Sequence, residues 1–526
     1  MEKPIHEKVQ DVDSTILPAE KLPSTAAGRV VRGFGSNALS QAISVASSIL
    51  LVPLYLHAWG APLYGRWLVL TSLATYLILF DLGGQSFFGN LLASEYARGD
   101  SDEFRERFSE GVSLFSFIAV IALVVLGALA CTPDLNIFHQ HIALATEDRL
   151  VLLFVGITFL IGVPGGILAS AYRATGLFVR GAMIGNIARA ITLILYIVLL
   201  VVHVRPWLYA AAGLVSTILL NAFVVYDASR CIPAIRGSRF GWASARKGFV
   251  HLPGSLYFWL IAISNALNQQ GVLLVLALTG SSTEVALFAT HRTICGLIGY
   301  IGSFVWAPLM PELNYLFTRR QQHLLAHASH LALKVVTLAA SSSGVGLWLI
   351  LPTIYPRWTG KSLSFDPILL AILLTQAALA AGWMTSGWAL LASNQHRRLS
   401  CWALVNGVLT IALSALLAPR WGAPGVAFAS LTGDILCGLA VYPFLASRVL
   451  GISSSSLYKT ILLPMLALAP LWGVAILRKS SQPIGMRDTC ILTAACIALI
   501  TPAVVLAFHK KDDTEWIFSK LRSVVR

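Results

Sequence analysis

The chain has 526 residues, of which 56% are apolar and only 12% charged, and it carries a formal net charge of +14. Soluble domains run at ~25% charged residues, so this composition cannot clothe a water-facing surface; it excludes a soluble enzyme, a secreted disulfide scaffold and a disordered protein. The basic excess sits in short clusters between apolar runs, not along one polar face, which argues against nucleic acid and reads as a topology signal.

Residues 1–34 are polar and of mixed charge, with Pro4, Pro18 and Pro23. They read as a flexible cytoplasmic tail with no cleavable signal. Apolar runs of about 20 residues, the length a helix needs to cross a bilayer, then fall at about 35–57, 66–90, 111–132, 149–171, 182–203, 207–227, 251–278, 286–311, 331–354, 366–392, 400–418, 425–447, 459–477 and 489–508. The fold class is an all-α polytopic membrane protein of about 14 transmembrane helices. With the N-terminus in the cytoplasm, alternating loops put Lys and Arg on the cytoplasmic side by about three to one, which places both termini inside. Arg478, Lys479 and Arg487 fall on the wrong side. The longest external loop is about 133–148. The seven cysteines form no CxxC pair and no ligand spacing, and read as reduced structural thiols, with no metal site.

The chain repeats itself. "RGFGSNALSQAIS" from Arg32 aligns with "KGFVHLPGSLYFW" from Lys247, and the stretch from Ala169 aligns with that from Ala389, setting Asn186 opposite Asn406. Six spans separate the copies, so both halves share one orientation. The expected organisation is a tail (1–34), an N-lobe of six helices (35–230), a pseudo-symmetric C-lobe of six (231–450), a C-terminal helix pair (451–508) and a cytoplasmic tail (509–526). In such a design the substrate site lies between the lobes.

Three stretches carry a resemblance. "LLVPLYLHAWGAPLYGRWLVLTSLATYLILFDLGGQSFFGNLLASEYARGD" (50–100), "VALFATHRTICGLIGYIGSFVWAPLMPEL" (285–313) and "APRWGAPGVAFASLTGDIL" (418–436) resemble, in that order, segments of polysaccharide flippases in the multidrug/oligosaccharidyl-lipid/polysaccharide exporter superfamily. The Wzx-type O-antigen and exopolysaccharide flippases are the nearest group. The resemblance runs from about 32 to 450. It implies a V-shaped two-lobe bundle in the bacterial inner membrane that moves a polyprenyl-diphosphate-linked oligosaccharide to the outer leaflet by alternating access. It further implies the lipid-linked oligosaccharide, membrane lipids, a polysaccharide polymerase and chain-length proteins as partners.

Such a cargo needs a polar, cationic cavity, and an ionisable group inside the membrane costs ~2.5–3.5 kcal/mol on the insertion scale. Each one is therefore a candidate. For the diphosphate these are Arg292 with His291 in span eight, Arg189 in span five, Arg66 after the "YG" turn, and Arg32 and Lys247 at matching repeat positions. Snorkelling, interface anchoring and topology signalling are the competing explanations for these cations. For sugar hydroxyls the candidates are Asn37 and Gln41 in span one and Asn265, Asn268 and Gln269 in span seven, with interhelical hydrogen bonding as the alternative. Asp81 either carries a coupling ion, pairs with a cavity arginine or caps a break at Gly83-Gly84. Asp434 reads as a packing residue, and Pro164, Pro253 and Pro308 read as helix breaks.

No G-x-x-x-x-G-K-[ST] loop is present, so no cofactor is expected and energy would come from H+, Na+ or consumption of product outside. Two rival functions stay open. One is an ion-coupled drug or cation exporter of the same fold. The other, an enzyme such as a glycan polymerase or ligase, would rest on Asp134, His139, His141, Glu147 and Asp148 of the external loop.

Overall fold

The computed structural model describes residues 26–131, 146–393, 395–470 and 472. Among these the secondary structure is helical, without strands. The N-terminal half holds α1 (Ala26–Thr75), α2 (Gly84–Arg98), α3 (Ser101–Cys131), α4 (Thr146–Ala174), α5 (Phe178–Val201) and α6 (Pro206–Cys231). A linker with the short α7 (Trp242–Gly248) leads to α8 (Leu252–Ala266), α9 (Val272–Thr279), α10 (Ser282–Thr318), α11 (Gln322–Trp358), α12 (Pro367–Ala392), α13 (His396–Gly433), α14 (Tyr442–Leu450) and α15 (Ser454–Met465).

Ten of the described helical stretches are long and apolar enough to cross a membrane, and the chain is a multi-pass membrane protein. Two are far longer than a bilayer: Gly35–Arg98 has 64 residues and Arg397–Leu450 has 54. At 1.5 Å per residue the first would reach ~96 Å against a ~30 Å hydrocarbon core. Glycine resolves the mismatch. Gly60 (φ 71, ψ 168) and Gly422 (φ 57, ψ −136) leave helical geometry and each joins two helices. Elsewhere helix starts are set by local chemistry. Pro206 opens α6, Asp366 accepts from the amides of Ile368 and Leu369 (2.9 and 3.0 Å) at the start of α12, and Ser281 accepts from Glu284 N at α10.

Several expectations change. α1 begins at Ala26, so the end of the stretch expected to be a flexible tail is helical. The second span is not one helix: a 3-10 segment, Tyr76–Asp81, ends at Leu82 and Gly83, both left-handed (φ 48 and 73), before α2 restarts. α4 runs unbroken through Pro164, Pro253 sits in the first turn of α8, and α10 continues to Thr318. Two spans contain π-helical turns, Leu267–Gly271 and Asp434–Leu439, each adding a residue to one turn. The first 25 residues, most of the external loop, the fourteenth span, Arg478, Lys479, Arg487 and the C-terminal tail lie outside the described residues.

The halves meet at two levels. Near the Gly60 turn, Val52, Leu56, Tyr64 and Val69 of α1 are buried in one apolar cluster with Phe288, Val336, Leu370 and Val426. Gly65 lies so close to the Ser282 carbonyl that a Cβ would collide with it, and Trp358 Nε1 donates to Ile49 O (2.8 Å). Toward the linker, α8 packs on the broken second span. Trp259 Nε1 donates to Leu79 O (2.8 Å), and a Cβ on Gly83 would stand 2.6 Å from the Ser255 carbonyl. The N-terminal half keeps its own core around Phe88, Phe104, Leu114 and Ile167.

Candidate functional site

Polar side chains left exposed on membrane-spanning helices must face water or a polar cargo, because lipid tails offer no hydrogen bonds. Two such groups stand out. In the N-terminal half, Asn37 and Gln41 are one turn apart on α1, half-buried, and make no side-chain hydrogen bond among the described residues. Arg189 of α5 is exposed and donates to the Ser40 hydroxyl on the same part of α1. One turn earlier on α5, buried Asn186 donates to Ser36 O (2.8 Å) and fixes α5 against α1, so Arg189 is presented from a rigid pair.

In the C-terminal half the group forms around the first π-turn. Asn265 and Gln269 are exposed one turn apart, while Asn268 turns inward and donates to Ser264 O (3.0 Å). Arg292, from α10, donates Nη1 to Gln269 O (2.7 Å) and lies 5.3 Å from the Phe288 ring centre. Neither Arg189 nor Arg292 has a carboxylate within ion-pair distance among the described residues. Both guanidiniums therefore keep donors for an anion.

The other proposed diphosphate ligands stand elsewhere. Arg66 pairs with Asp148 in the first turn of α4. Lys247 pairs with Glu106 (2.5 Å) on the linker. His291, next to Arg292 in sequence, is turned ~100° around the helix into the core. Its Nδ1 meets Leu287 O (2.9 Å), its Nε2 accepts from Asp366 N (3.4 Å), and Tyr355 lies 4.3 Å away. The side chain of Arg32 lies outside the described residues. Asp81 accepts from Gln85 N (3.3 Å) across the Leu82-Gly83 break, so it caps α2. Of the external-loop residues, Glu147 pairs with Arg205 (2.7 Å) and Asp148 with Arg66, while Asp134, His139 and His141 lie outside the described residues.

Asp434, read in the sequence as a packing residue, has partners that the sequence did not show. It opens the second π-turn and accepts from Asn406 Nδ2 and Gln376 Nε2 (3.1 Å each), and Thr410 donates to Asn406 Oδ1 (3.1 Å). The lone Gln376 in the apolar run of α12 and the repeat position of Asn406 were the available signals.

No family model and no curated protein matches the sequence. Solved structures do match. A lipid II flippase MurJ in an inward closed conformation shares 14% identity at a TM-score of 0.66, over 91% of this chain and 99% of that one. An inward-facing multidrug resistance MATE transporter of the MOP superfamily shares 15% at 0.59, over 84% and 97%. The MATE multidrug transporter DinF-BH, solved in a complex, shares 15% at 0.58, over 84% and 100%. At these identities the likeness is one of fold: the chain is folded like the transporters of the MOP superfamily.

Proposed function

We propose that this chain, folded like a MOP-superfamily transporter, flips a polyprenyl-diphosphate-linked oligosaccharide from the cytoplasmic to the outer leaflet of a bacterial inner membrane. The observation that carries the reading is the pair of guanidiniums, Arg189 and Arg292, one in each half, without carboxylate partners among the described residues and set near amides that are half-buried on α1 and exposed at the π-turn. A diphosphate asks for bidentate cationic donors, and a sugar asks for neutral donors and acceptors. Each half supplies both. The lobes would close over the headgroup by turns, while the lipid tail stays in the bilayer. Both termini would lie in the cytoplasm, and a polymerase and chain-length proteins would take the product in O-antigen or exopolysaccharide assembly.

Coupling to H+ or Na+ requires a carboxylate inside the membrane that no cation neutralises. Asp81 is engaged in capping α2, whereas Asp434 is held only by amides. Asp434 is therefore the residue we assign to coupling. The rival reading, a drug or cation exporter, has the MATE likeness in its favour; it calls for an exposed carboxylate among the amides, and the two groups described contain none.

The test is reconstitution. Purified protein in liposomes with a labelled undecaprenyl-diphosphate oligosaccharide should make label accessible to an external glycosidase. Arg292→Ala should lower this about 100-fold, and a cationic dye should not be transported. Dye transport without lipid flipping would overturn the reading in favour of an exporter.

A further inference from the structure

The π-turn at Leu267–Gly271 touches three partners. Arg292 of α10 donates to its Gln269 carbonyl (2.7 Å). Gly271 lets two neighbours approach where any side chain would intrude: a Cβ there would stand 2.6 Å from Ile411 Cδ1 of α13 and 2.8 Å from the Tyr76 hydroxyl. Tyr76 belongs to the 3-10 segment of the N-terminal half, and the same segment receives Trp259 Nε1 at Leu79 O (2.8 Å), from the helix leading into the π-turn. The turn is thus flanked by two contacts that hold the halves together.

We infer that Arg292 is parked on the Gln269 carbonyl, and that an arriving diphosphate draws it away and so releases the π-turn and the contact between the halves. The inference rests on the flippase reading and adds how cargo binding would be signalled. Arg292 has five N–H donors and spends one on a neutral carbonyl and a ring face. A diphosphate offers an oxygen pair with full negative charge, so that the guanidinium exchanges one bond to a neutral carbonyl for two parallel bonds to an anion. The carbonyl loses that competition. A π-turn is a strained insertion kept by specific contacts; without its donor it relaxes toward α geometry, and one residue of register turns α9 by ~100° and ~1.5 Å relative to α8. Gly271 then no longer faces Tyr76, and a side chain takes its place.

Amide hydrogen exchange on the full chain in lipid nanodiscs tests this, with geranylgeranyl diphosphate as probe and geranylgeraniol as control. In the wild type the diphosphate should raise exchange about ten- to a hundredfold in peptides covering 265–273 and 76–82, the size expected for losing one hydrogen bond to a charged donor. Geranylgeraniol should not. Arg292→Gln should start at the raised level and ignore the probe, and Arg292→Lys should respond weakly. Exchange that stays flat in the wild type while the diphosphate binds and flips overturns the inference and leaves the flippase reading standing. Failure of the diphosphate to bind at all overturns both. The wild-type arm decides even if Arg292→Gln does not fold.

Discussion

The two π-turns are the same backbone device put to opposite uses. At Leu267–Gly271 the turn is open: Asn265 and Gln269 are exposed beside it, and a cation without an anion rests on its carbonyl. At Asp434–Leu439 the polar side of the turn is closed, while Ile435 and Leu436 face outward. Asp434 is 7% exposed, an anion without a cation, and both its oxygens are held by amides. Gly433 fits under Thr410 and Asn406, and Gly438 fits under the Trp383 ring. An extra residue per turn frees backbone groups in either case; what differs is whether the surroundings seal them or leave them reachable. Under the proposed function the open turn would meet the headgroup and the closed one the coupling ion.

That contrast breaks first on transport. Arg292→Ala should lower flipping about 100-fold, the cost of losing bidentate charge-assisted bonds, while Arg292→Lys should lower it about tenfold because a point charge cannot fork. Arg189→Ala should fall between the two, since Arg189 stands on an equally open face. Rates of label externalisation in proteoliposomes measure all three. Equal activity of wild type and Arg292→Ala would remove the distinction between the turns.

The closed turn should instead show itself in stability. Asp434→Ala leaves the amides of buried Asn406 and half-buried Gln376 without their acceptor, at a cost of about 3 kcal/mol. Asp434→Asn restores one acceptor but sets an amide donor against a donor, and should recover about half. Thermal unfolding in detergent reads both. If Asp434 also carries the coupling ion, Asp434→Asn should abolish the dependence of flipping on the H+ or Na+ gradient even where the protein remains folded.

Between these lies the contact of the halves. Gly271→Ala must push Ile411 or Tyr76 aside, an overpacking worth ~1–3 kcal/mol. The conformation with the halves in contact should be depopulated accordingly. Cysteines placed at Phe87 and Gly254, which touch across the same boundary, should cross-link about tenfold more slowly in this variant.

How much of this was legible depended on the range of the interaction. The split between α5 and α6 was readable from the apolar runs, and Pro206 supplies its helix start; the break in the second span was legible only as one alternative for Asp81, a cap at Gly83-Gly84. Hydropathy cannot see a π-turn, since one extra apolar or amide residue leaves the average unchanged. His291 and Arg292 look like one cationic site in the sequence, yet helix geometry points them to different places, one into the core and one onto the π-turn. Arg66 looked available because its partner Asp148 is 82 residues away. Chain-local chemistry could be read; pairing across helices could not.

The smallest effect tests whether pairing is what separates a ligand from a brace. Lys247 occupies the repeat position of Arg32 and looks like a cargo receptor in the sequence, but its ammonium lies on Glu106, with the two side chains 63% and 43% exposed. Exposed pairs of this kind contribute little and are screened by salt. Lys247→Ala should therefore leave flipping within about twofold of wild type, with no change when the salt is raised. Glu106→Gln should behave alike, because removing either partner dissolves the same weak pair. The discriminating comparison is with Arg189→Ala in the same vesicles. Both residues are exposed cations of equal formal charge, and only Arg189 lacks a carboxylate among the described residues. A loss on Lys247→Ala as large as that on Arg189→Ala would mean that charge alone recruits the cargo, and that the lack of a carboxylate partner gives Arg189 no special claim to it.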